Sequence, residues 1–286
     1  DFDRYSAARI MAEEQRHGWQ MAYLLMTYFG QQGRREAQKL LERNAQDGDR
    51  LLGAFNIPMP HWLDFFCYTM FVDRDGKFQL GMLSTSAFKP LAASMGPMLK
   101  EEAFHLGTGF NGLRRIIKAG VVPLDLLQRY INKWVSTAHD LFGVDASSSA
   151  HWAYVWGVKG RWDERKKLDA GIAVDKATLN EESRGHYHDE IVGEVRKLCG
   201  YLPDDATKLY VPHENFNRSI GTAKGKRFTV DGAPFEGSDD DWKEYLSTHL
   251  PTDQDEIDLK ELFKQEWIAN KPMSTRQIES GIGVSA

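Results

Sequence analysis

Two Glu-x-x-His pairs carry the clearest chemical potential in this chain: Glu14 with His17 in Glu13-Glu14-Gln15-Arg16-His17, and Glu102 with His105 in Glu101-Glu102-Ala103-Phe104-His105. On a helix, positions i and i+3 share a face, so each pair offers a carboxylate and an imidazole to one point. Carboxylates are hard anionic donors, and imidazole suits first-row transition metals. Two such pairs on facing helices are how a four-helix bundle holds two iron or manganese ions, with one further carboxylate from each of two other helices. In chain order that plan runs carboxylate, Glu-x-x-His, carboxylate, Glu-x-x-His. Asp73, after the apolar pair Phe71-Val72, supplies the third member, with Asp75 in reserve. A buried carboxylate there needs a cation or an arginine partner. The first carboxylate has no candidate here and would lie on a helix before Asp1, so the chain is expected to be a fragment of a longer protein.

Bland readings compete with each piece. Glu14 and His17 could form a surface pair, and Asp73-Arg74-Asp75-Gly76 could be a turn with a surface ion pair. Glu13 and Glu101 read as solvated or supporting acids. His61, His139, His151 and His249 read as structural or surface, and His186 and His188 would point apart on a helix and face solvent. In the metal-free alternative the whole chain is a helical scaffold and both motifs are surface pairs.

The elements that must position these residues follow from periodicity. A first helix spans about 5–29, with Ser6 as cap and Ile10, Met21, Ala22, Leu25 and Met26 in its apolar stripe. A charged amphipathic helix follows at about 34–46. A buried third helix starts near His61 and continues through Asp73 to about Ser86. The fourth spans about 90–119, with Pro90 in its first turn and Pro97 marking a kink or a later start. Gly107, Gly109 and Gly112 are poor helix residues there, and close backbone packing would explain them. Leu124 to Phe142 is amphipathic. Trp152, Tyr154 and Trp156 alternate as a strand or extended segment would, and Arg161 to about Lys176 is charged. A helix at 178–198 has a Thr178/Glu181 capping box. Beyond Gly200, prolines interrupt the chain. Short strands are expected at Lys208–Val211 and Arg227–Val230, with Asp231-Gly232 closing a hairpin, and short helices at about 239–250 and 256–269. The expected architecture is mainly α: a ferritin-like four-helix bundle with extra helices over residues 1–199, and a small irregular α/β appendage over 200–286.

Composition narrows the function classes. The chain has 286 residues, 42% hydrophobic and 12% aromatic, enough for a large core. A formal net charge of −5 argues against nucleic acid as the main partner. No apolar run reaches membrane-spanning length. Two cysteines and no secretory pattern fit a reducing, cytoplasmic setting.

Four segments also resemble a known family. Residues 13–21 (Glu-Glu-Gln-Arg-His-Gly-Trp-Gln-Met), 73–80 (Asp-Arg-Asp-Gly-Lys-Phe-Gln-Leu), 101–105 and 211–221 (Val-Pro-His-Glu-Asn-Phe-Asn-Arg-Ser-Ile-Gly) are similar to the oxygenase components of benzoyl-CoA epoxidases. The resemblance runs to about residue 250, and the tail after about Lys271 does not share it. It implies a ferritin-like di-iron protein that uses O2 to form the 2,3-epoxide of benzoyl-CoA. Electrons would come from a separate NADPH-dependent flavin/iron–sulfur reductase. It implies Glu14, His17, Asp73, Glu102 and His105 as the metal ligands. Asn215, Asn217 and Arg218 would contact the CoA moiety. Phe65, Phe66, Tyr68, Phe71 and Phe104 could wall a ring pocket, although core packing is their default. Rival readings are an oxygenase for another acyl-thioester such as phenylacetyl-CoA, and a non-catalytic iron-handling protein.

Overall fold

A computed structural model describes residues 2–160, 164–173 and 178–264. Its regular elements are all helical, with no β-strand among the described residues. The helices are α1 (Phe2–Tyr28), α2 (Gly30–Glu42), α3 (Trp62–Cys67), α4 (Asp73–Ser84), α5 (Lys89–Ala119), α6 (Leu124–Leu141), α7 (Ser148–Val155), α8 (Glu164–Asp169), α9 (Leu179–Cys199), α10 (Asp239–His249) and α11 (Asp253–Leu262). This is the all-α, ferritin-like arrangement expected above. α1 packs on α2 and α5, while α3 and α4 pack on α5 and α6, and α9 backs α4 and α5.

The third predicted helix is continuous in direction but not in hydrogen bonding. A five-residue π-helical turn, Tyr68–Val72, joins α3 to α4 and ends immediately before Asp73. Such turns insert a residue into the helical ladder and change which face the following side chains occupy. Here the side chains around the turn are core: Phe66, Met70 and Phe71 have no exposed surface and pack with Leu113, Tyr130 and Trp134. Burial of each is worth about 1.5–3 kcal/mol relative to exposure. α5 meets this segment closely. A Cβ added to Gly109 would stand 2.5 Å from the Met70 backbone nitrogen, and one added to Gly112 would overlap the Phe66 ring. Close backbone packing therefore accounts for these two glycines. Gly107 is different: an added Cβ there would meet nothing within 4 Å. α5 runs unbroken through Pro97 and ends on Gly120 in the left-handed region (φ 63°).

Several expectations need correction. Ser6 is not a cap: α1 starts at Phe2, and Ser6 Oγ donates to the Phe2 carbonyl one turn back. α2 starts at Gly30 rather than near residue 34. Residues 148–155 form a helix instead of a strand, because the Ser147 side chain accepts from Ala150 N and caps it. The Thr178/Glu181 box does not form. The first N–H groups of α9, at Asn180 and Glu181, are instead held by the Asp145 carboxylate at 2.8 and 3.0 Å.

The α/β appendage contains no strand among the described residues. Near Lys208–Val211, Tyr210 exchanges both backbone hydrogen bonds with the Gln128 side-chain amide, which takes the place of a neighbouring strand. Around Asp231-Gly232 the chain does reverse, with Phe228 bridging Pro234, but Pro234 has no N–H to extend a ladder. The post-200 segment lies along α6 through Arg218 on Asp140, Arg129 on Asp255 (2.7 Å) and Asn132 on the His249 carbonyl (2.9 Å). The last helix among the described residues, α11, runs Asp253–Leu262 and so starts before residue 256; residues 265–269 of the expected helix and the tail after Lys271 lie outside the described residues, as does part of the charged stretch from Arg161 to Lys176.

Candidate metal centre

Three helices deliver the cluster. α1 carries Glu14 and His17, α4 opens with Asp73, and α5 carries Glu102 and His105. His105 Nδ1 is the hub: it stands 3.3 Å from Glu14 Oε1, 3.6 Å from Asp73 Oδ2 and 3.6 Å from Glu102 Oε2. Glu14 turns its other oxygen to His17 Nδ1 at 3.5 Å, so its carboxylate lies between the two imidazoles. One donor atom each from Glu14, Glu102 and His105 lies within 4.8 Å of the others, close enough to share an ion. Of the two candidate aspartates, the structure brings Asp73 to the cluster. Asp75 instead accepts from Gln79 Nε2 at 3.0 Å and faces Lys159 electrostatically. Gly76 leaves room beside the cluster, since an added Cβ would touch the Glu102 carboxylate at 3.6 Å.

Three atoms at the centre lack any hydrogen-bond partner although they are buried: Asp73 Oδ2, Glu102 Oε2 and His105 Nδ1. An orphaned buried polar atom costs about 1–3 kcal/mol, more when charged. Three of them pointing at one another, each with a free lone pair available when deprotonated, fit a metal ion and no protein group. The proton balance gives the same picture. Burial, then repulsion from Glu102 and Glu14, pushes Asp73 well above the ordinary carboxylate range. Burial also raises Glu102 despite the nearby His105. Burial disfavours a charged His105, yet its contacts with Glu102 and Glu14 and the charge of Asp73 push it up to about 11. Burial would raise Glu14 too, but the His105 and His17 imidazoles outweigh it and hold it down at about 2. Asp73 and Glu102 are thus pushed toward their neutral forms, and a divalent cation between these donors would stabilise them as carboxylates.

The acid preceding each motif glutamate has its own task. Glu13 accepts from His105 Nε2 at 3.0 Å, across from α1 to α5. Glu101 pairs with His17 Nε2 at 2.7 Å, across from α5 to α1. With Nε2–H donating outward, each imidazole would present an unprotonated Nδ1 once a bound cation displaces the proton there, which is the tautomer a metal needs. Arg9 binds the other oxygen of Glu13, and Arg16 shares with His17 the same oxygen of Glu101. The sequence marks both acids as solvated or supporting but does not show this crossed pairing. The doubled Glu-Glu in each motif is the one available signal.

A cleft of about 490 Å³ opens on the other side of Glu102. Its walls come from Leu99, Ala103, Leu106, Gly107 and Phe110 of α5, faced by Arg74 and Lys77 of α4 and Glu190 of α9. Of the aromatics expected to wall a ring pocket, Phe66 and Phe71 are core and Phe104 lies under the Arg9 guanidinium, while Phe65 and Tyr68 pack against the core. Arg218 is buried and committed to Asp140 and to the His139 and Glu214 carbonyls; Asn215 N bonds His213 Nδ1. Arg218 thus pins the late segment to α6, and neither it nor Asn215 nor Asn217 lines the cleft. His139 is buried, in line with a structural role, and His188 is half-buried rather than facing solvent; their rings stack with His188 Nδ1 3.3 Å from His139 Nε2, and burial holds both below the usual histidine range. His61 is buried as well, on Tyr130 Oη and Asp64.

Residues 9–219 match the family described as Phenylacetic acid catabolic protein. Benzoyl-CoA oxygenase component B of Aromatoleum evansii is 34% identical over 306 aligned residues, covering 92% of this chain and 64% of that protein. A 1,2-phenylacetyl-CoA epoxidase subunit of Escherichia coli (strain K12) is 25% identical over 152 residues, covering 52% of this chain and 44% of that protein. The chain therefore spans less than two thirds of the length of either relative. No helix among the described residues is long and apolar enough to cross a membrane.

Proposed function

The chain belongs to the Phenylacetic acid catabolic protein family, and from that premise we propose that it is the metal-binding part of an aryl-CoA oxygenase. Its substrate is benzoyl-CoA and its product the ring 2,3-epoxide. The observation that carries the metal assignment is the trio of partnerless buried atoms on Asp73, Glu102 and His105, contributed by α4 and α5. Glu14, His17, Asp73, Glu102 and His105 would hold a pair of iron ions. Benzoyl-CoA is preferred over phenylacetyl-CoA because the relative whose name carries it is the more similar of the two. Phenylacetyl-CoA is the second reading, supported by the family description and the other relative's name. Iron storage without an organic substrate is disfavoured by the largely apolar cleft against Glu102, which storage would not need.

Iron held there would supply the activation of O2 for a monooxygenation in which one oxygen atom enters the ring and the other leaves as water, with two electrons and two protons consumed. Those electrons require a reductant outside this chain, a separate NADPH-dependent flavin/iron–sulfur reductase. The chain's own residues do the rest. Glu13 and Glu101 hold the imidazoles in one tautomer and orientation. The sealed packing of Met70, Phe71 and Phe78 behind Asp73 excludes water from that flank. A cytoplasmic location is part of the proposal and rests on the free thiols Cys67 and Cys199.

The test is oxygen uptake by iron-loaded protein with a chemical or enzymatic electron source. Uptake coupled to benzoyl-CoA loss, with one labelled oxygen atom from 18O2 in the product, is the expected result. Coupling to phenylacetyl-CoA alone would select the second reading. Iron loading far beyond two ions per chain, without aryl-CoA turnover, would select storage.

A further inference from the structure

We propose that the cleft between α4, α5 and α9 is the slot that seats the apolar acyl group of a thioester substrate beside Glu102, and that Gly107 keeps it open. This rests on the reading of the cluster as an oxygenase centre. Leu99, Ala103, Leu106 and Phe110 fall at helical spacing on one face of α5, and Glu102 borders that face. The cleft thus has an apolar wall that leads to a cluster carboxylate with an orphaned oxygen. Its volume, about 490 Å³, lies in the range of small-molecule sites.

The opposite wall is polar but already satisfied. Glu190 binds the Arg74 guanidinium and takes Lys77 Nζ with both oxygens, at 2.8 and 2.7 Å. Burial would raise Glu190, but Lys77 and Arg74 hold it below the ordinary carboxylate range and so charged. Glu194 lines this wall as well, so its two cations, Arg74 and Lys77, face two carboxylates, and with no net formal charge the wall does not invite an anion into the cleft. What enters is the uncharged acyl end of the substrate, while its charged carrier stays outside.

Gly107 is the revealing position. On the same helix, Gly109 and Gly112 are dictated by contact with Met70, Thr69 and Phe66, but nothing lies within 4 Å of a Cβ built on Gly107. Packing does not require glycine there, and glycine weakens a helix interior. A side chain at 107 would project into the cleft it lines. Gly96, also on α5 and equally unhindered, is exposed and lies outside this cleft, which makes it a matched control.

The experiment compares the full chain with Gly107→Ala, Gly107→Leu and Gly96→Leu. Gly107→Ala and Gly107→Leu gain helix propensity; Gly96 precedes Pro97, so circular dichroism first checks that Gly96→Leu keeps the parent's helical content. Iron content after anaerobic ferrous loading is measured first, and then binding of benzoyl-CoA, phenylacetyl-CoA, acetyl-CoA and free CoA by calorimetry. The expected result is unchanged iron in every variant and an unchanged Kd for free CoA. Benzoyl-CoA binding weakens slightly in Gly107→Ala and at least 10-fold in Gly107→Leu, and is unaffected in Gly96→Leu. If Gly107→Leu binds benzoyl-CoA as the parent does, the slot assignment is overturned while the oxygenase reading stands. If the parent discriminates only a non-aromatic acyl-CoA and Gly107→Leu loses that discrimination, the slot stands and the aryl reading falls. A parent that binds all four alike overturns both.

Discussion

The two halves of the cluster are built differently. On α4 and α5, Asp73 and Glu102 expose 7% of their side chains and His105 none. On α1, Glu14 exposes 48% and His17 12%. The α4/α5 half is fixed by packing that leaves no slack: a π-helical turn ahead of Asp73, glycines pressed against it from α5, and Arg74 clamped by Glu190 of α9. The α1 half stands at the edge, with exposed Met11, Trp19 and Tyr23 nearby on the same helix. What holds it to the other half is largely polar, the crossed pairs Glu13–His105 and Glu101–His17. One half is shaped by the core and the other by its ligands and their hydrogen bonds, so the two should fail in different ways.

The largest expected contrast is between the histidines. His105→Ala removes the hub whose Nδ1 touches three carboxylates and should abolish metal binding at both positions; His17→Ala should leave about one ion per chain. Metal analysis after desalting reads both, and equal losses would erase the distinction. Next come the braces. Glu13→Gln and Glu101→Gln keep shape but drop charge, and each should weaken metal affinity about 10–100-fold without unfolding the chain; competition with a chelator of known affinity measures this. The packing contrast is smaller. Gly109→Ala drives a methyl into the Met70 backbone and should cost about 1–3 kcal/mol. Gly18→Ala on α1 meets nothing within 4 Å and should stabilise by about 0.5–1 kcal/mol. Denaturant midpoints of the metal-free proteins carry opposite signs if the halves differ as described.

The smallest effect concerns pH. Glu190 has a folded pKa below its ordinary 4.5, so its contribution is present above that value and disappears as pH falls through the lower, folded value. Glu190→Gln should therefore destabilise by about 1 kcal/mol or less at neutral pH, and the difference from the parent should shrink toward zero in acid. A difference that persists unchanged at low pH would mean that packing, not charge, ties α9 to Arg74.

The sequence showed much of this site because helical spacing is rigid. Glu14 and His17, like Glu102 and His105, lie i and i+3 on long helices, and that alone places each pair on one face. Asp73 was readable as an acid in an apolar run. What escaped was whatever depends on contacts between distant segments. The crossed pairing of Glu13 and Glu101 spans two helices. The Asp145 cap on α9 comes from another loop, so Thr178 and Glu181 misled as a local signal. Gln128 satisfying Tyr210 turned a plausible strand into a strap on α6, and the Ser147 cap turned alternating aromatics into α7. Arg218 sits in a family-like segment, yet its guanidinium is used up on Asp140.

The most direct test of the central claim is iron per chain after anaerobic loading, in the parent and in Glu102→Ala. The parent should retain about two ions through desalting, and Glu102→Ala, which removes a buried donor with no other partner, should retain almost none while keeping its helical content. Equal iron in the two proteins would contradict the assignment of this cluster as the metal centre.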